Sequence, residues 1–471
     1  MLFNSHFFIF LFLPVTFAVY FTLTKNRLTL AARAWLVLGS LFFYSYWNIN
    51  YLPLILISIL FNYALGTALV RPAARSRGVL SNPRIPRKMV LYFGVTVNLL
   101  LLGYFKYSHF FISNVGRLAG LHLNPLNVVL PLGISFFTFT QIAYLVDSYR
   151  GECKEYDFLN YALFVTFFPH LIAGPILHHK DLMPQFEQPK KKILNYKNIA
   201  LGLFIFFIGL FKKVILADPL AIWASEGFDK SLSLSFGSAW LTSLSYTLQL
   251  YFDFSGYIDM ALGASLLFNI ELPINFNSPY KARDIQDFWR RWHITLSKFL
   301  RDYLYIPLGG NRKGEFRTYG NLFITFLLGG LWHGASWTFI FWGALHGIAM
   351  VLHRLGSRLK LKINQTLAWF LTFNFINITW VFFRAKRWED AFKVLRGMAS
   401  FNGLTGENIP DFKRKVLWIL ALFAVVFFAK NTAQLRAQFR PDWKSAVFCV
   451  LLAVLGIMNL THVSEFIYFN F

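Results

Sequence analysis

Eleven histidines are spread along a mostly apolar chain. An ionisable side chain inside an apolar run is the first place to look for chemistry. Most of the eleven need no such explanation. His6, His109, His122, His353 and His462 lie near the ends of apolar runs, where an interfacial imidazole is ordinary. His178 and His179 are adjacent, so on a helix they diverge by about 100° and do not share a metal ion. The chain has no HxxxH, HxxHH or HExxH box, which removes iron-desaturase and zinc-protease chemistry. No metal site is expected.

Two histidines stand apart. His333 lies in Leu327-Leu-Gly-Gly-Leu-Trp-His-Gly-Ala-Ser-Trp337, within a run that carries no charged side chain from Asn321 to Met350. Gly330 and Gly334 form a GxxxG pair, and Gly343 and Gly347 form a second around His346. Small residues at that spacing let another backbone approach closely. Such an imidazole either bonds a carbonyl in a packed helix or lines a polar passage. His293 follows Trp292 in Asp287-Phe-Trp-Arg-Arg-Trp-His-Ile-Thr-Leu-Ser-Lys-Phe-Leu-Arg-Asp302. Read as one helix, Ile285, Phe288, Trp289, Trp292, Leu296, Phe299, Leu300 and Tyr303 form an apolar face. Arg290, Arg291, Lys298 and Arg301 lie largely off it. That is the pattern of a helix at a membrane surface. An anchor of this kind explains the aromatic and basic residues but not the imidazole. The arginines also suit the phosphates of a cytosolic donor such as coenzyme A.

Asp253 and Asp259 are the acids within apolar surroundings. Six residues apart, they point about 120° from each other on a helix, so they do not form a carboxylate dyad. Each is expected to pair with an Arg or to accept backbone N–H bonds where Ser255 and Gly256 loosen the helix. Lys212 and Lys213 are expected to snorkel to an interface or to mark a helix end. There is no Walker loop, no GxSxG and no nucleophilic cysteine context. The two cysteines, Cys153 and Cys449, support at most one disulfide and no zinc framework.

The elements that must hold these residues follow from composition. Of 471 residues, 56% are hydrophobic and only 14% charged, too few charges to cover a water-soluble protein of this length. Apolar runs of about 18 residues or more recur from end to end, each long enough to cross a bilayer. The net charge of +24 is dealt out in short clusters between those runs. A nucleic-acid binder gathers its charge in one patch, so no nucleic acid is expected. Loops held on the cytoplasmic side carry charge in this way. Lys25, Arg27 and Arg33 follow the first run and place the N-terminus outside. Arg71 to Lys88, with no acid, reads as a cytoplasmic loop. Phe7 to Phe21 has neither a preceding positive charge nor a following cleavage site, and is expected to be a retained first helix.

The chain is thus expected to be an all-α polytopic membrane protein, one domain over residues 1–471 surrounded by membrane lipids. About ten to twelve spans are expected, plus interfacial helices. Residues 271–320 form an interfacial or re-entrant polar segment within it, and 321–352 read as one further apolar run. No internal duplication is visible, which disfavours the inverted-repeat transporters.

Trp-Arg-Arg-Trp-His293, followed 40 positions later by Leu-Trp-His333-Gly, closely resembles the membrane-bound O-acyltransferase family. The likeness is to its bacterial branch, which includes the membrane subunit of alginate O-acetylation. Further matching pieces are Phe168-Pro-His-Leu-Ile-Ala-Gly-Pro175, Leu250-Tyr-Phe-Asp-Phe-Ser-Gly-Tyr257, Arg301-Asp-Tyr-Leu-Tyr-Ile-Pro-Leu-Gly-Gly-Asn311 and Glu465-Phe-Ile-Tyr-Phe-Asn-Phe471. His170 departs from the Gln of the alginate subunit. The resemblance runs nearly end to end. It implies a ring of tilted helices around a central funnel, with His333 deep inside.

It further implies an acyl donor arriving from the cytosol, with acetyl-CoA as substrate and no bound cofactor. The acyl group leaves on the outer face of a bacterial inner membrane, where a periplasmic SGNH-type acetyltransferase places it on a polysaccharide such as alginate. Peptidoglycan and cellulose are the other glycans of this kind. Acyl transfer to a hydroxyl needs a base, and neutral imidazole suits that task at pH 7. His333 is accordingly read as general base, and His293 as the assisting residue. Trp332, Trp292, Arg290, Arg291, Asp253 and Tyr251 are candidate substrate or donor contacts. The reading from a different class is a polysaccharide or lipid-linked sugar flippase, with Asp253, Asp259 and the arginines as substrate contacts.

Overall fold

The computed structural model describes residues 1–70, 86–121, 123–124, 126, 128–153, 157–400, 402–403, 410–460 and 466–467. Most of the basic stretch from Arg71 to Lys88, together with His122 and His462, lies outside them. So does the Glu465–Phe471 ending, apart from Phe466 and Ile467. Among the described residues every regular element is helical.

Among the described residues six helices are long and apolar enough to cross a membrane: Phe8–Lys25, Ile49–Val70, Arg87–Ala119, Tyr196–Lys230, Trp337–Arg358 and Gln365–Arg384. Phe412–Phe428 with Thr432–Gln438, bent by 48°, makes up to seven. The ten to twelve spans expected from apolar runs are not confirmed. Apolar runs overcount because some are not single helices. Phe158–Thr166 and Phe168–Leu171 are short pieces of one run, broken at Pro169, which cannot donate a backbone bond. The run at 321–352 is divided between Glu315–His333 and Trp337–Arg358.

The chain divides into two compact units, residues 1–206 with 260–273 and residues 207–259 with 274–471. In the first, buried amides join three helices, Ile49–Val70, Arg87–Ala119 and Ile134–Arg150. Asn98 donates to the Asn62 side chain at 2.7 Å, and both Asn62 and Ser58 donate to Gln141. Within a membrane such bonds hold helices together, because lipid offers the amides nothing. Asp157 begins the Phe158–Thr166 helix by accepting from the Leu159 amide at 2.8 Å.

In the second unit, the helix from Tyr196 widens into a π-helical turn at Lys212–Ala217. This turn faces Phe236–Leu267, which stays helical through Ser255 and Gly256. Gly256 does not loosen its helix. A Cβ there would stand 2.8 Å from the Gly209 carbonyl oxygen, so the glycine lets two backbones touch. The contact sets Lys212 and Lys213 against Asp253 and Asp259. Lys213 Nζ lies 2.6 Å from Asp253 and 2.9 Å from Asp218. Lys212 Nζ lies 2.7 Å from Asp259, which also accepts from the Thr432 hydroxyl. The acids thus pair with lysines rather than arginines. These lysines are held inside instead of snorkelling, because burying both members of each pair leaves no charge unmatched.

Candidate functional site

All the elements that hold the two distinctive histidines belong to the second unit. His333 is the last residue of Glu315–His333, and Gly334 beyond it is extended. Ser336 then starts Trp337–Arg358, its hydroxyl accepting from the Thr338 amide at 3.2 Å. The two helices pack as a tight hairpin. A Cβ on Gly330 would lie 2.4 Å from the Phe339 carbonyl oxygen and 2.8 Å from Gly343 Cα. Gly330 thus meets Gly343 across the hairpin, and Gly347, the other glycine of the second pair, lets the Phe323 backbone approach, where a Cβ would stand 3.1 Å from the Phe323 Cα and carbonyl oxygen. This hairpin fixes the His333 imidazole, which is 3% exposed. Its ring is met by Trp332 at 4.9 Å, Phe383 at 5.1 Å and Trp342 at 5.2 Å between centroids.

The segment around His293 is not the continuous surface helix its pattern suggests. Ile285–Arg291 ends at Trp292, and Ile294–Leu300 begins after His293. His293 has φ 44°, a left-handed conformation that costs a non-glycine residue on the order of 1 kcal/mol. Neighbouring bonds hold it there. The Asn275 carbonyl accepts from the Ile294 amide at 3.1 Å. The Asn275 side-chain oxygen accepts from the Thr295 amide and hydroxyl, both at 3.0 Å, and lies 3.4 Å from His293 Nδ1.

The break turns Trp292 and His293 inward, and Phe288, Trp289, Leu296 and Phe299 are buried with them instead of facing lipid. The His293 ring meets Phe254 edge-on at 4.8 Å and Trp332 at 6.4 Å. Burial pushes its pKa down to about 3, so this imidazole is neutral at physiological pH. The Trp332 indole thus contacts both histidines.

A wider aromatic set surrounds the pair. Trp292 stacks on Phe288 at 5.7 Å and packs on Trp380 at 5.1 Å. Trp342 stacks on Trp380 at 5.7 Å. A third buried imidazole, His346, lies 4.6 Å from the Trp342 ring and accepts at Nδ1 from the Trp289 indole N–H at 3.2 Å. Sequence reasoning passed over His346 as a residue between two glycines, although it shares the uncharged run of His333.

Two cavities adjoin this set. One, of about 660 Å³, is lined by Tyr246, Gln249, Ser336, Phe339, Phe383 and Arg384 among others. His333 does not line it; Phe383, which does, contacts the His333 ring. The other, of about 440 Å³, carries Arg290, Lys298 and Arg301 on a wall that also includes Trp289, Thr325 and Phe326. In the sequence Lys298 and Arg301 stand out only as part of the basic face of the 285–303 segment and, for Arg301, of a matching piece, not as candidate contacts. Arg291 is instead engaged by Asp287 at 2.8 Å and lines neither cavity. Asp253 is held by Lys213 and by the Ile467 amide at 3.1 Å. Tyr251 packs against Tyr280 and Phe276. Neither of these two lines a cavity named here.

The helical fold, its candidate spans and its buried imidazoles define a membrane protein with polar chemistry enclosed in an apolar interior. Residues 41–386 match the model of the membrane-bound O-acyltransferase family, and the chain belongs to that family of acyltransferases. It is 49% identical to a peptidoglycan O-acetyltransferase of Helicobacter pylori, over all of this chain and 98% of that protein. It is 40% identical to a probable alginate O-acetylase of Pseudomonas aeruginosa, over 93% of this chain and 84% of that protein. A teichoic acid D-alanyltransferase of Streptococcus thermophilus is 32% identical over 50% of the chain.

Proposed function

We propose that this acyltransferase takes an acetyl group from a cytosolic thioester, acetyl-CoA, and passes it across the bacterial inner membrane for O-acetylation of an envelope glycan. The observation that carries the reading is the arrangement of His333 and His293 on one indole, Trp332, in an aromatic set flanked by two cavities. The cavity with Arg290, Lys298 and Arg301 suits the phosphates of the donor. The cavity that meets Phe383 beside His333 suits the acceptor.

His333 serves as general base. It takes the hydroxyl proton as the acceptor oxygen attacks the thioester carbonyl. The carbon–sulfur bond then breaks, and the thiolate leaves with that proton. Aromatic walls exclude the water that would hydrolyse the thioester. His293, neutral and held by Asn275, assists by positioning the donor.

The Helicobacter relative matches along its whole length, which supports peptidoglycan as the final acceptor ahead of alginate. A periplasmic SGNH-type acetyltransferase completes the transfer. The test is to delete the gene and measure O-acetyl esters on each purified envelope glycan, complementing with wild type and with His333→Ala. Loss of peptidoglycan esters, restored by wild type alone, is expected. Unchanged esters on every glycan after deletion, or full rescue by His333→Ala at wild-type abundance, would refute the reading.

A further inference from the structure

The larger cavity holds two polar groups that the surrounding protein does not use. Tyr246 and Gln249 lie about one helical turn apart on Phe236–Leu267, and both line it. They are 1% and 8% exposed. Among the described residues neither the Tyr246 hydroxyl nor the Gln249 side-chain oxygen meets a hydrogen-bond partner. A buried amide oxygen without a donor destabilises a fold, so its place on a cavity wall points to an occupant that supplies the bond.

The other polar residues of this wall are already engaged. Arg384 gives its guanidinium to Asp229, bonds the Ser225 hydroxyl at 3.2 Å and lies 5.3 Å from the Phe228 ring centroid. Lys386 leans on the same Asp229 carboxylate at 3.6 Å. The Ser336 hydroxyl caps its helix and meets the Thr338 hydroxyl at 2.8 Å. Recognition of an entering neutral group therefore falls to Tyr246 and Gln249. The apolar part of the wall leads to the base: Phe339 meets Phe383 edge-on at 5.0 Å, and Phe383 contacts the His333 ring at 5.1 Å. An amide oxygen only accepts, whereas a phenol both gives and takes. If Gln249 took the proton of the reacting hydroxyl, it would compete with His333 for it. Its complement is a second O–H or N–H on the acceptor.

We propose that Gln249 and Tyr246 are acceptor-binding residues: Gln249 accepts from an O–H or N–H that the acceptor carries beside its reacting hydroxyl, and Tyr246 bonds the neighbouring polar atom. The acceptor is thus a molecule with adjacent polar groups rather than a simple alcohol. This rests on the acceptor reading of the cavity given above.

The experiment uses the deletion strain and follows how fast O-acetyl esters return to the envelope glycan that lost them, after induction of each variant at equal abundance. Binding of a non-transferable acetyl-CoA thioether to the purified full-length protein in nanodiscs checks the donor side. Gln249→Leu, which has no acceptor oxygen, and Tyr246→Phe, which lacks one hydroxyl, should each slow ester formation by about 3-fold to 10-fold. Donor binding should stay at the wild-type level in both. Gln249→Glu keeps an oxygen in the same place and should be faster than Gln249→Leu. Equal rates in Gln249→Glu and Gln249→Leu would overturn the proposal, and so would loss of donor binding in Gln249→Leu and Tyr246→Phe, which would make the residues structural. If Gln249→Leu does not fold, Tyr246→Phe still decides, since it deletes only a hydroxyl that bonds no described residue. Esters that wild type restores, and that Gln249→Leu and Tyr246→Phe restore as fast, defeat this proposal alone. Esters unchanged by the deletion itself defeat the acetyl-transfer reading and this one together.

Discussion

Two regions of the second unit bury ionisable groups in apolar surroundings, and they do so in opposite ways. At the π-helical turn, Lys212 and Lys213 meet Asp259 and Asp253 in direct ion pairs, with Asp218, Thr432 and the Ile467 amide taking further bonds. Around His333 the neighbours are rings. Trp332, Trp342 and Phe383 press on the imidazole, and His293 faces Phe254 and Asn275. Opposite charges that satisfy each other hold a fold together but have nothing left to offer a substrate. An imidazole set among rings carries a nitrogen that can accept a proton when the ring is neutral. Burial alone therefore does not tell the two environments apart; the side chains that meet each group do.

That contrast can be broken by mutation. The largest effect is expected at His333. His333→Ala should lower acetyl transfer by at least about 100-fold without changing the protein's melting temperature, measured in parallel on purified protein. A large loss of stability would place His333 with the ion pairs. The reverse pattern is expected for Lys213→Ala, which leaves the buried Asp253 and the half-buried Asp218 without their cation. It should cost about 3–5 kcal/mol of stability, read as a fall in folded protein recovered from membranes. The double substitution Lys213→Met with Asp253→Leu should recover much of that loss, and a double variant as unstable as the single would argue against an ion pair as the source of the effect.

Smaller effects sharpen the contrast within the site. His293→Ala should reduce transfer by about 10-fold to 100-fold, short of abolishing it; wild-type rates would leave it a packing residue only. Asn275→Ala removes the oxygen that accepts from Thr295 and lies 3.4 Å from His293 Nδ1. A loss of only a few-fold is expected, about 1 kcal/mol for one lost interaction, and it should vanish in the His293→Ala background if the two act as a unit.

Much of this was legible in the residues themselves. Apolar runs and clustered charge announced a helical membrane protein, since the length of an apolar run and the sign of its flanks are local properties. The uncharged run around His333 and the Trp-His pair at 292–293 singled out both histidines before any contact was known. The periodicity of 285–303 misled, because it cannot register one left-handed residue. His293, bonded through Asn275 to a segment about eighteen residues earlier, breaks the helix and swings its aromatic face into the protein.

Only the tertiary structure decided partners. Lys213 is forty residues from Asp253 and Trp289 is 57 from His346, and nothing in either local sequence names the other. The close glycines also lie on different helices, Gly256 against Gly209 and Gly330 against Gly343, so their spacing along the chain carried little information about which backbones touch. The sequence by itself determined which groups would be inside a membrane protein. The packing of distant helices determined which of them meet an opposite charge and which are set among rings, because pairing depends on which side chains meet in space.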